Sequence, residues 1–392
     1  MRDICKVQGM NNDIRPIESI RISGFASVGE AELELAPDVT LLIGANGSGK
    51  SNVIRSFELM AKIMRSGLQS YVLARGGMSN LLHAGERGRA PFVGLDLRLV
   101  DSEDSDARGY QVMIQSTDND SAFLQEWLVF RDDSKEGGLN ADALRPGVET
   151  TLVNSEHFAE GRKQFARAIQ SHLAGIRVFH FDDVGPKAPP KTFSLVADNV
   201  SLHPDAGNLA AYLLRLKSEL EDDYRSIVAA IRNVAPFFDD FVLEPEGPEG
   251  ENVRLRWTQH NIDTVFGAAQ LSDGTLRFIC LATLLLSPHR PQCIVLDEPE
   301  LGLHPYAVVQ LAALLRKAAN GGHQCVVATQ SALLLDEFNM NNVAVLERKN
   351  GATKIHRPST SQLEGFLSDY TLGEIWRMNI LGGSPSFRET LS

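Results

Sequence analysis

Several things are scarce in this chain of 392 residues, and each scarcity closes off a class. It has four cysteines, Cys5, Cys280, Cys293 and Cys325, far apart in sequence, and the last three sit in strongly apolar segments. They read as buried thiols in a reducing compartment, not as metal ligands or a disulfide framework. No apolar run approaches the ~20 residues needed to cross a bilayer. The polar stretch Met1 to Ile14 also lacks a secretory hydrophobic region, so the expectation is a cytoplasmic protein that is neither exported nor membrane-spanning. Basic charge is short too: 38 Lys and Arg stand against 50 Asp and Glu, a net charge of −12. A general nucleic-acid-coating role is therefore disfavoured, and any DNA contact needs a local basic patch. Heptads sustained over many turns are missing, which excludes a long coiled-coil arm. His304, His323 and His356 have no metal-ligand spacing.

What the chain does have is a complete phosphate-binding loop. Residues 44–51 read Gly-Ala-Asn-Gly-Ser-Gly-Lys-Ser, after the apolar run Val39–Ile43 that predicts a buried strand. Glycines let the backbone curl so that its N–H groups point at phosphate oxygens. The pattern implies a bound nucleoside triphosphate, with Lys50 reaching the β- and γ-phosphates and the Ser51 hydroxyl placed to ligate Mg²⁺. Asn46, Gly47, Ser48, Gly49 and Asn52 complete the candidate contacts. A helix is predicted from about Ser51, and its positive N-terminal end adds to the anion attraction.

Around this loop the patterning predicts an α/β protein. Half-buried strands are expected at Ile17–Ile22 and Ala31–Leu35, with further strands at Phe92–Val100, Gly109–Ile114 and Phe123–Phe130 as an antiparallel flank. Residues 132–160 carry no assignable period. A helix is expected over 156–174, a strand over Ile176–Phe181, a Pro/Lys-rich connector over 184–192 and one long amphipathic helix over 206–233. A strand over Val253–Trp257 precedes alternating helices and strands: Thr275–Leu286, Cys293–Leu296, Tyr306–Ala319, Gln324–Ala328 and Val343–Glu347. That alternation suits a parallel sheet covered on both faces. The expected division is 1–132 and 251–392 as two parts of one head, with 133–250 a mainly helical insertion or lid.

Cys293–Glu298 joins a buried strand to two successive carboxylates, a Walker B element at the strand's carboxyl end. Asp297 is placed to hold Mg²⁺, and Glu298 to polarise the water that attacks the γ-phosphate. Leu271-Ser272-Asp273-Gly274-Thr275 opens a helix upstream. It is either an ordinary N-cap or an anion site made by Ser272 and the helix amides, including Gly274.

These motifs together resemble SMC/RecF-like ABC-type ATPases, in the OLD-related branch of small stand-alone predicted ATPases. The carriers are Ile20–Phe25, Gly44–Ser51, Leu271–Thr275 as the signature, Asp297-Glu298-Pro299-Glu300-Leu301-Gly302-Leu303-His304-Pro305, and Ala328–Leu335 as a switch segment. The resemblance implies an ABC-type head: a mixed central sheet, an antiparallel flanking sheet and a helical insertion. It also implies ATP and Mg²⁺ as cofactors, and a homodimer in which Ser272 of one head completes the nucleotide site of the other. The string after Glu298 resembles this branch's D-loop, at the dimer interface.

Some positions depart from the pattern. Asp273 and Thr275 replace the usual Gly and Gln of the signature, and Gln330 stands where the superfamily has a histidine that senses the γ-phosphate. An amide still donates a hydrogen bond but cannot change charge with pH. No glutamine marks a Q-loop, with His83 only a weak substitute, and adenine recognition is unassigned. Arg162, Lys163, Arg167 and Arg177 form either a solvated basic face or a DNA contact. Leu367, Tyr370, Leu372, Ile375, Trp376 and Ile380 predict a docked C-terminal helix. Only about sixty residues follow the switch, too few for the fused nuclease of OLD-like relatives. The expected function is thus an ATP-driven dimeric switch controlling a separate effector, a nuclease or toxin in phage defence. The alternative is a RecF-like clamp that binds DNA itself; the long spacing from Lys50 to Ser272 argues against a transporter subunit.

Overall fold

The computed structural model describes residues 15–383 apart from 87, 103–105, 133–137, 154–157, 159, 359–362, 364 and 367. Cys5, the N-terminal stretch, the Arg162 side chain and Leu367 lie outside the described residues. The described residues of Met1–Pro37, Asn46–Ile176 and Leu346–His356 form one compact unit. Those of Asp38–Ala45, Arg177–Val345 and Arg357–Ser392 form a second.

The first unit starts with the hairpin β1 (Ile17–Phe25) and β2 (Val28–Glu34). After β3 (Val39–Ile43), which belongs to the second unit, come α1 (Lys50–Ile63) and α2 (Leu68–Ala74). Three longer strands follow, β4 (Val93–Leu99), β5 (Ala107–Ser116) and β6 (Ala122–Asp132), then β7 (Gly138–Ala143) and α3 (Glu160–Ala174). Together they make an antiparallel six-stranded sheet in the order β2-β1-β4-β5-β6-β7. Alternation sets its register: Ile20 pairs with Leu97, and Leu95 with Val112, so buried residues share one face. The expected antiparallel flank is therefore present. β7 has no fully buried side chain, which is why no period announced it.

The second unit holds five strands in the order β8-β12-β13-β3-β14. They are β8 (Ile176–Phe179, entering from the first unit), β12 (Cys293–Asp297), β13 (Gln324–Thr329), β3, and β14 (Val343–Lys349), whose last residues lie in the first unit. Parallel pairing sets Asp297 against Ala328, and Thr329 against Ile43, so the carboxyl ends of β12, β13 and β3 share one edge. Of the helices α4 (Leu209–Glu219), α5 (Glu221–Val234), α6 (Asp273–Leu286) and α7 (Pro305–Asn320), α7 packs on β13 and β3, α6 packs against α5 and α7, and α4 packs against α5. From Leu276 to Leu286 every residue of α6 is buried, making it the centre of the core. A smaller antiparallel sheet, β9 (Phe238–Val242), β10 (Arg256–Gln259) and β11 (Ile262–Gly267), packs Phe238, Phe241, Trp257 and Phe266 ring on ring.

Two expectations need correction. The helix over 206–233 is two helices, broken at Leu220 with φ −138° and ψ 58°. Glu221, Asp222 and Asp223 favour a new helix N-terminus there, while the apolar spacing runs on because both helices face one core. The strand over Val253–Trp257 is likewise interrupted: Val253 pairs with Ser194, whereas Arg256 and Trp257 pair with Val242 and Phe241. The chain changes partner at Arg254 and Leu255, and alternation cannot register that. Near the end, α8 (Ala332–Leu335) receives the short α9 (Leu372–Arg377), whose Leu372 and Ile375 enter the core as expected of a docked tail. Among the described residues the longest helix has 16 residues, and no helix is long and apolar enough to cross a membrane.

Candidate functional site

The phosphate loop leaves the buried end of β3 and turns into α1 at Lys50. Gly47 (φ +81°) and Gly49 (φ +105°) carry the left-handed backbone that a side chain would strain. A Cβ on Gly47 would meet nothing within 4 Å, so the loop is open on that side. α1 has no side-chain cap and no acid in its first turn, which leaves its dipole unopposed for an anion. Lys50 is 5% exposed, Ser51 is exposed, and the buried Ser48 hydroxyl has no hydrogen-bond partner among the described residues. Behind the loop, Asn52 Nδ2 donates to Ser27 Oγ at 2.8 Å, and Thr353 Oγ1 donates to the Ser48 carbonyl at 2.9 Å. Neither Ser27 nor Thr353 carries a motif, and both escaped the sequence. His83 Nδ1 lies 2.8 Å from the Ala26 carbonyl, so this ring is tied to the β1–β2 turn.

In the second unit, Asp297 ends β12 and Glu298 follows in the left-handed region, with φ +44°. A glutamate there is strained, and the turn is held because Glu298 N donates to Ala328 O at 2.8 Å. Gln330, just past β13, donates from Nε2 to Glu298 Oε1. Glu300 supports both: its Oε1 accepts from Thr329 Oγ1 at 2.5 Å and from Gln330 N at 3.2 Å. Its Oε2 is buried with no partner among the described residues, and burial raises the carboxyl pKa above the ordinary glutamate value. Asp297, Glu298 and Gln330 are thus gathered at one sheet edge, where the sequence expected them. Glu300 is an addition that only this contact reveals.

Ser272 and Gly274 form a second group, at the start of α6. Ser272 caps the helix, accepting from Thr275 N at 3.2 Å, and shares a 2.7 Å hydrogen bond with Thr275 Oγ1. A Cβ on Gly274 would lie 2.4 Å from the Gly302 carbonyl oxygen, so the signature and the following turn touch backbone to backbone. Arg277, one turn on and 6% exposed, donates to the carbonyls of Phe181 (2.8 Å), Asp182 (3.2 Å) and Leu301. Lys191, from the connector, sits 3.5 Å from Asp273 Oδ1 and donates to Val184 O at 2.5 Å. The connector therefore places a cation beside the acid that departs from the usual signature. Cys280 and Cys325 are buried with thiols pushed up to about 12, and Cys293 is pushed higher still, so all three are inert thiols as expected.

Residues 39–336 match the family model described as "AAA domain, putative AbiEii toxin, Type IV TA system". The chain belongs to this family. Its fold is that of an SMC-like ABC-type ATPase head. The head of Smc in "Crystal structure of the SmcHead bound to the C-winged helix domain of ScpA" superposes with a TM-score of 0.56 at 17% identity, covering 89% of this chain and 99% of that one. The chromosome partition protein Smc of Mycobacterium tuberculosis is 29% identical over 172 residues, and that of Mycolicibacterium paratuberculosis 34% over 171. Each match covers 42% of this chain and 13% of the relative, so this ATPase head spans about an eighth of the length of those proteins. The expected fold class is confirmed, and among the described residues no long coiled coil accompanies it.

Proposed function

We propose that this ATPase head binds and hydrolyses ATP and works as a dimeric switch for a separate effector. The observation that carries this is the locked trio at the sheet edge: Asp297, a strained Glu298, and Gln330 holding that glutamate. A strained, side-chain-bonded carboxylate at the end of a Walker B strand suits a poised base better than a structural turn.

The residues present suit a magnesium nucleotide. The phosphate loop offers glycine curvature, an uncapped helix start and a buried Ser48 hydroxyl without a hydrogen-bond partner among the described residues. Lys50 would face the β- and γ-phosphates, with Asn46, Gly47, Ser48 and Gly49 cradling them through backbone N–H groups and Asn52 supporting the loop from behind. Ser51 and Asp297 would hold Mg²⁺, which when bound neutralises charge on the phosphate oxygens. Glu298 orients the attacking water and takes its proton, and Gln330 fixes the carboxylate for that step.

Ser272 and Gly274 would act on the nucleotide of a second copy, so ATP favours the closed pair and hydrolysis releases it. Exposed Leu301 and Tyr306 on the segment after Glu298 are in keeping with such a pairing. The effector would be a nuclease or toxin on another chain, as in an OLD-like phage-defence system.

Light scattering of Glu298→Gln tests this. The variant is expected to dimerise with saturating Mg-ATP and to stay monomeric after adding Lys50→Ala. A monomer under both conditions, with wild-type turnover independent of protein concentration, overturns the switch.

A further inference from the structure

A phosphate loop with glycines at 47 and 49 is soft, because each glycine widens the conformations open to it. Its amides hold an anion well only if something fixes their direction beforehand. In the first unit a line of hydrogen bonds runs behind the loop, from Asn52 Nδ2 to Ser27 Oγ (2.8 Å), between Ser27 Oγ and Thr353 Oγ1 (2.7 Å), and from Thr353 Oγ1 to the Ser48 carbonyl (2.9 Å). Proton inventory sets the sense of the line. Thr353 uses its one hydroxyl proton on Ser48, so the proton between the two hydroxyls belongs to Ser27, and Ser27 in turn accepts from Asn52. Each hydroxyl donates once and accepts once.

Thr353 is fully buried. It lies on β15 (Ala352–His356), just after a tight Asn350-Gly351 turn with φ of +52° and +74°. Its own N–H donates to Ser27 O at 2.8 Å, which locks the hairpin to the β1–β2 turn. The hydroxyl occupies the space a side chain at 49 would need: a Cβ on Gly49 would lie 2.0 Å from Thr353 Oγ1 and 2.7 Å from Ser27 Oγ.

In a planar trans peptide the C=O and the next N–H point in opposite directions. Pinning the Ser48 carbonyl backward onto Thr353 therefore turns the Gly49 N–H forward, to the concave side of the loop. We propose that Thr353, held by Ser27, is a positioning residue that aims the Gly49 amide at the nucleotide phosphates. The proposal rests on the phosphate-loop role given above, and it assigns to the 346–356 hairpin a part in nucleotide binding.

The test compares Thr353→Val, Thr353→Ser and Ser27→Ala with wild type, using ADP and ATP affinity by calorimetry, turnover, and thermal melting as the control for folding. Thr353→Val keeps the shape and loses the hydroxyl. It should weaken both nucleotides about tenfold, the scale of one or two lost hydrogen bonds, and raise KM more than it lowers kcat. Thr353→Ser should bind within about twofold of wild type, and Ser27→Ala should fall between, adding little to Thr353→Val because both break one line. Wild-type affinity in a folded Thr353→Val, or a Thr353→Ser as weak as the valine variant, overturns the proposal; should Thr353→Val not fold, wild-type affinity in Ser27→Ala does the same. If wild type itself shows no nucleotide binding sensitive to Lys50→Ala, the phosphate-loop role has failed instead.

Discussion

The side-chain amide of Gln330 donates a hydrogen bond to Oε1 of Glu298 across the carboxyl ends of two neighbouring parallel strands. The glutamate is thereby held although its backbone sits at φ +44°. Removing the amide should leave the nucleotide's binding groups intact and let the carboxylate swing. Gln330→Ala is expected to lower kcat about 10- to 100-fold, with ATP affinity changed by less than about threefold. Single-turnover kinetics beside calorimetry separates the two effects, and parallel loss of affinity would place Gln330 in binding instead.

Gly274 has no room for a side chain, because a Cβ there would lie 2.4 Å from the backbone oxygen of Gly302. Neither partner is the end of a flexible side chain, so relief requires the turn after Glu298 to move away from α6. Gly274→Ala should cost about 1–3 kcal/mol of stability, read by urea denaturation. Because Arg277 ties the same turn through Leu301, the variant should also dimerise less with Mg-ATP in the Glu298→Gln background.

Burial raises the pKa of Glu300, so the sign of its pH effect follows directly. Between the ordinary glutamate value and the raised one, the folded state holds a proton that the unfolded chain has released. Its contribution to stability is complete at low pH and is lost as pH rises through the folded pKa. Glu300→Gln keeps an acceptor for Thr329 and Gln330 and removes the charge. The variant should gain on the order of 1 kcal/mol relative to wild type at pH 8, with no gain at pH 4. Melting curves across that range check this; equal stability at both ends would show that Glu300 does not titrate in this window.

The candidate nucleotide site was legible because it is written in short contiguous strings. Gly44–Ser51 carries its own curvature and lysine, and Cys293–Glu298 carries a strand and its two acids within six residues. Strand-like patterning likewise announced β1, β4 and β5, and β4 buries every second residue from Val93 to Leu99. The break at Leu220 was not visible, since two helices packed on one core keep one apolar rhythm.

What local pattern alone determined, then, is the set of groups proposed to meet a triphosphate, because backbone curvature, helix polarity and strand burial depend on near neighbours. Tertiary structure decided how those groups are held: Ser27 reaches Thr353 across 326 positions, Gln330 reaches Glu298 across 32, and Arg277 reaches Phe181 across 96. A lone serine, threonine or arginine has no meaning until folding supplies its partner. A hydrogen bond needs a donor aimed at an acceptor within about 3 Å, and nothing in chain order records that meeting.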